Sequence, residues 1–161
     1  MASKKSTAER GKFKTEVSTA LYKSEKIRKL LLGDTSNLSP SETISAFKNH
    51  VKSHLFIDDT MTEKETFIFY DVSMPFIHTQ IENPKIVMYL IAHRDILEDY
   101  SEEGYYGDRI DILSQMVEEA LLDKEVINKF GIGELKLDSI EIYNSMTYYG
   151  CIMVYTVPTF R

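Results

Sequence analysis

The sequence predicts an α+β domain: two N-terminal helices, then a mostly antiparallel four-stranded sheet in the order β-β-α-β-β, with a helix packed on it. Three observations carry this. Apolar residues recur at helical spacing near the start of the chain, and a Ser-Pro-Ser-Glu box opens a second helix. The later apolar runs are short, rich in β-branched and aromatic residues, and bounded by proline, glycine or acidic stretches. The chain of 161 residues suits one core, and 43% hydrophobic with 27% charged residues is ordinary for a globular fold.

The first few residues read as a flexible arm. From Thr7 to Leu32 the positions Phe13, Val17, Ala20, Leu21, Ile27, Leu30 and Leu31 form a narrow apolar stripe, interrupted only by Gly11 and stopped by Gly33. Residues 1–33 are therefore read as a basic arm and long helix, and 34–161 as a single α+β domain. In the second helix Ser39 caps, Pro40 takes the first turn and Glu42 reaches back. Its expected inner face is Ile44, Phe47, Val51 and Leu55, ending near Phe56. Thr66 to Met74 is a strand with apolar residues on both faces, which implies two-sided burial or contact with another subunit. Lys85 to His93 is a continuous apolar run, as expected of a central strand covered on both sides.

A third helix is expected from Asp108 to Asp123, with Ile110, Leu113, Val117, Ala120 and Leu121 inward, followed by a turn at Gly131–Gly133. In the next strand Leu135 and Leu137 are odd-numbered while Ile140 and Ile142 are even-numbered. A β-bulge near Asp138–Ser139 would put all four on one face. The run from Cys151 to Val157 closes the sheet.

Motif by motif, the chemistry is sparse. His93-Arg94-Asp95 spells the start of a kinase catalytic loop, but Tyr100 stands where the metal-binding Asn belongs, and no glycine-rich phosphate loop exists. His50 and His54 have the four-residue spacing of a shared cation, yet Val51 replaces the zinc-protease Glu and no third ligand is near; both read as boundary histidines. The acidic run from Asp95 to Asp111 lacks the alternating stride of a calcium loop and reads as solvated and self-repelling. Its Tyr100, Tyr105 and Tyr106 suit either a protein contact or packing on the domain itself. Cys151, the single cysteine, reads as a buried small hydrophobe in a reducing, cytoplasmic setting. No metal, cofactor or catalytic residue is expected, and no membrane partner, since no apolar run approaches the roughly 18–20 residues of a spanning helix.

Charge is unevenly placed. Residues 1–30 hold nine Lys/Arg against three Glu, whereas the other 131 hold ten Lys/Arg against 22 Asp/Glu. A cationic arm (Lys4, Lys5, Arg10, Lys12, Lys14) on an anionic body implies an anionic partner, either nucleic acid or a neighbouring copy.

From Ile27 to Arg161 the chain resembles the small neck and tail-completion proteins of tailed bacteriophages, the tail-terminator and head–tail joining group. The segments that carry the likeness are "IRKLLLGD", "FIFYDVSMPFIHTQIENPKIVMYLIAHRDI", "GDRIDILSQMVEEALL" and "FGIGELKLDSIEIYNSMTYYGCIMVYTVPTF". The resemblance implies a non-enzymatic virion subunit, assembled in the host cytoplasm, that forms a ring, typically a hexamer. Such a ring ends the tail tube and docks to the head connector or head-completion protein. DNA would pass its lumen without specific binding, which an acidic body favours. Expected contact residues are the arm cations, Phe76 and Ile77 in the first interstrand loop, and Tyr105 and Tyr106. Two other readings remain: a nucleic-acid-binding adaptor using the arm, and a small-molecule enzyme or sensor built on His93 and Asp95.

Overall fold

The computed structural model describes residues 2–58, 60–74, 76–77, 80–81, 83–123 and 135–157, the side chains of 2–6, 76, 77, 80 and 81 excepted. Its elements are α1 (Ala2–Lys23), α2 (Glu25–Leu32), α3 (Pro40–His50), β1 (Val51–Lys52), β2 (Thr66–Ser73), β3 (Phe76–Ile77), β4 (Gln80–Ile81), β5 (Lys85–His93), α4 (Arg109–Leu121), β6 (Lys136–Asn144) and β7 (Tyr148–Thr156). The α+β class is as expected. The expected turn at Gly131–Gly133 lies outside the described residues.

The long first helix is two helices. Ser24 adopts an extended conformation (φ −75°, ψ 108°), and its hydroxyl accepts the Ile27 N–H at 3.2 Å, so a fresh helix starts there. The periodicity survives the break: Phe13, Val17, Ala20 and Leu21 of α1 and Ile27, Leu30 and Leu31 of α2 all enter the same core. Helical structure also reaches back to Ala2, where the sequence suggests a loose arm. Gly33 caps α2 at φ +72°, a conformation that favours glycine.

The Ser39–Glu42 capping box forms in both directions, and α3 follows it. However, α3 stops at His50 and not near Phe56. Val51 is already extended, and β1 pairs in parallel with Ile68 and Phe69 of β2. The β-branched Val51 joins an available sheet edge, which outweighs the helical spacing. The buried stripe of α3 is consequently Thr43, Phe47 and His50, while Ile44 and Leu55 stay exposed.

The sheet runs β1-β2-β5-β7-β6, five strands where four are expected, and is antiparallel except at β1. Helices cover one face. There Ile68, Tyr70, Val72, Ile86, Met88, Leu90, Met153 and Tyr155 pack against α1 and α4, whose Ile112 and Met116 join the expected inner residues. Ala120 is only partly buried. The other face carries a smaller cluster, Phe67, Phe69, Ile91 and Tyr148, sheltered by Ile57 and Met61. Two-sided burial of β2 thus arises within the chain. The second face of β5 is covered only in part, since Val87 and Tyr89 remain half-buried.

Between Leu137 and Ser139 the β6–β7 register slips, the bulge expected at Asp138. The Asp138 carboxylate accepts from the Thr156 hydroxyl and from Lys85 Nζ, which fixes the extra residue. Leu135 and Leu137 reach the core, but Ile140 and Ile142, on the same face, do not.

Candidate functional site

The arm cations come first, because the sequence singles them out. α1 lies against β2, and its Arg10 donates from Nε to the Val72 carbonyl at 2.7 Å and from Nη2 to Asp71 Oδ1 at 2.6 Å. Lys14 Nζ reaches the same carboxylate at 3.0 Å and the Ser53 carbonyl at 2.8 Å. Tyr70 donates from its hydroxyl to the Lys14 carbonyl at 2.7 Å, and burial pushes that phenol up to about 12. Burial works to raise the Asp71 pKa, but the Lys14 hydrogen bond, the Val72 N–H and the charges of Lys14 and Arg10 outweigh it and hold the carboxyl below its ordinary range. Lys12 points to solvent. Lys4 and Lys5 have backbone in α1, and their side chains lie outside the described ones.

The acidic loop between β5 and α4 is equally tied down, where the sequence predicts self-repulsion. Lys29 of α2 pairs with Glu102 at 3.3 Å, and that ammonium, with the Tyr100 hydroxyl, lowers the Glu102 pKa. Lys64 sits 3.0 Å from Asp95 and lowers its pKa by hydrogen bond and charge. Arg109 threads back across the loop. Its Nε donates to the Ile96 carbonyl at 3.0 Å, its Nη1 to the Leu30 carbonyl at 3.4 Å, and its guanidinium stands over the Tyr100 ring. Arg94 donates to Asn144 and the Ser145 carbonyl across the β6–β7 turn. The loop is acidic in sequence and laced with cations in space.

The tyrosines divide. Tyr100 and Tyr105 pack on the core, and Lys26 Nζ donates to the Tyr105 hydroxyl at 3.1 Å. Tyr106 is 80% exposed, yet its backbone is held at both groups: Gln115 accepts its N–H at 3.3 Å and donates to its carbonyl at 2.7 Å. A rigid backbone presenting a free ring suits a contact residue. Phe76 and Ile77 form β3, paired with β4 in a separate two-stranded ribbon, and their side chains lie outside the described ones.

The reactive groups have structural roles. His50 is buried, bonded through Nδ1 to the Thr66 carbonyl and stacked on Phe67; His54 follows β1 and meets Phe56 edge-on, so no helix face joins the two. His93 Nδ1 accepts the Asp95 N–H at 3.0 Å, capping a short turn. Cys151 is in the core, its thiol pushed up to about 12 by burial and then by the charges of Asp111 and Asp108. Among the described residues no three His, Cys, Asp or Glu side chains gather as metal ligands, and no helix is long and apolar enough to cross a membrane.

One comparison with known proteins settles membership: the family model YomW matches residues 24–157, from the Ser24 cap of α2 to the residue after β7. The chain belongs to the YomW family. That is a phage- and prophage-associated family, so the phage connection expected from the sequence holds at this coarser level. No curated protein and no solved structure matches the chain. In this YomW-family protein the matched region holds α2, α3, α4, the sheet and the acidic loop, while α1 lies before it.

What sequence reasoning missed is the pairing of Arg10 and Lys14 with Asp71, and the uncovered Ile140 and Ile142. Aspartate in the middle of an otherwise apolar strand is the one signal for the first. The odd-even slip is the signal for the second, although it shows a shared face and not what covers that face.

Proposed function

We propose that this protein is a structural subunit of a tailed phage's neck or tail. In this reading it assembles as a ring, a hexamer of tail-terminator type, that ends the tail tube and docks to the head connector. The carrying observation is the YomW family match over residues 24–157, which associates the fold with phages. The placement of the reactive groups supports a non-enzymatic role, because Cys151 is buried and Nδ1 of both His50 and His93 is bonded to a backbone group. Tyr106, held by its backbone and free at its ring, is the contact residue this reading favours most. DNA would traverse the lumen without specific binding, and two of the arm's five named cations, Arg10 and Lys14, are paired with Asp71 in their own chain.

Negative-stain imaging of the purified protein, alone and with tail tubes, tests the reading. Closed annuli on tube ends are expected. Solitary particles under both conditions, or steeply salt-dependent DNA binding by the free protein, would overturn it. Tyr106→Ala is expected to reduce docking on tubes while changing stability by less than about 0.5 kcal/mol, as for other exposed positions. Unchanged docking would remove Tyr106 from the contact.

A further inference from the structure

β6 is the outer strand of the main sheet, and among the described residues no strand pairs with its free side. The opposite edge offers less: β1 is only Val51–Lys52, paired with β2 at Ile68 and Phe69, and Arg10 occupies the Val72 carbonyl beyond. On the open edge Ile140 is 56% and Ile142 75% exposed. Both share the helix-side face with their β7 neighbours Met153 and Cys151, which are buried in the main core. An open edge carrying exposed apolar side chains is a template for another strand.

We propose that β6 pairs antiparallel with β6 of a second copy, about a two-fold axis through Glu141. The pattern of β6 is self-complementary in this register. With Glu141 on the axis, Ile140 stands opposite the partner's Ile142 and Ile142 opposite the partner's Ile140. Four isoleucines then form one patch, and Ser139 meets Tyr143 on the far face. The paired stretch, Ser139 to Tyr143, stops short of the bulge at Asp138. Placing Ile140 on the axis would instead set Ile142 against Asp138 and draw the bulge into the ladder. The axis is two-fold because head-to-tail strand addition would need the opposite edge, where β1 supplies only two residues and Arg10 occupies the Val72 carbonyl of β2.

Two features keep the pair weak. Glu141 faces its own copy across the axis, and like charges directly opposite destabilise a strand pair. Five residues a side also fall short of the roughly 1,200 Å² of stable interfaces. The inference does not rest on the phage reading: a two-fold contact does not close a six-membered ring, and added to one it would stack two rings face to face.

Sedimentation velocity over a concentration series tests it on the full chain. Wild type is expected to shift from monomer to dimer as concentration rises. Glu141→Gln is expected to tighten the dimer about two- to fivefold by removing the like-charge pair. Ile142→Lys is expected to abolish it, with an unchanged circular dichroism spectrum. A disulfide trap fixes the register: Glu141→Cys is expected to cross-link across the axis on mild oxidation much faster than Met146→Cys, although Met146 is 97% exposed. Wild type that stays monomeric throughout, a dimer indifferent to Ile142→Lys, or equal cross-linking at 141 and 146 would each overturn the proposal. Capture of a strand from a different protein would appear as the first of these.

Discussion

Replacing Asp71 by Asn leaves the Arg10 guanidinium and the Lys14 ammonium facing an amide in place of a carboxylate. Both partners are partly exposed, with Arg10 and Asp71 side chains at 43% and 36%, so the expected loss is about 1 kcal/mol or less, as for screened pairs. Its pH dependence is more telling than its size. The folded-state pKa of Asp71 lies below the ordinary value, so folding favours the charged form. That contribution is complete above the ordinary aspartate range, about pH 4, and disappears as pH falls through the lower folded value. Thermal melts of wild type and Asp71→Asn are therefore expected to differ near neutrality and to converge below about pH 4. A gap that stays constant into acid would show that the pair is not the source. At this scale the sequence was a partial guide. Cys151 read correctly as a buried hydrophobe. Gly150 gave no signal, yet a Cβ there would collide with the Leu90 carbonyl oxygen, because the β5–β7 register brings backbone against it.

α1 is the element for which sequence and structure part furthest. Its charges suggest a free arm, whereas Phe13, Val17 and Leu21 are at most 2% exposed and anchor it in the core shared with the sheet. Phe13→Ala is expected to cost about 3 kcal/mol or more, the range for a buried phenylalanine left as a cavity. Deleting residues 2–9, which precedes both the Arg10 pair and Phe13, is expected to leave chemical denaturation midpoints nearly unchanged. Equal destabilisation by the two changes would mean that the first turns carry the packing. The charge count misled because Lys and Arg are long enough to span from one element to the next; linear segregation of charge says nothing of pairing across a fold. Elements with local causes were legible: the Ser39–Glu42 box, the Gly33 stop and the Asp138 bulge each depend on residues a few positions apart. The end of α3 was not, because Val51 leaves the helix for a strand edge supplied by residues near 68.

For the whole molecule, the formal charge of −6 sets a repulsion that any self-association must overcome. Two kinds of contact respond to salt in opposite senses. If cations of one copy met the anionic body of the next, added salt would weaken assembly, since the Debye length falls from about 30 Å at 0.01 M to about 3 Å at 1 M. If the contact is the apolar edge of β6, salt screens the repulsion between like-charged copies and leaves the isoleucines untouched. Arg10, Lys14, Lys26 and Lys29 already face partners within their own chain, which reduces the cationic surface open to a neighbour. Light scattering at fixed protein concentration is therefore expected to show the mean mass rising as salt increases across that range, and rising less for Glu141→Gln, which starts with less repulsion. A mean mass that falls with salt would return the contact to the arm cations, and Lys12, the described arm cation directed to solvent, would then be the first residue to replace.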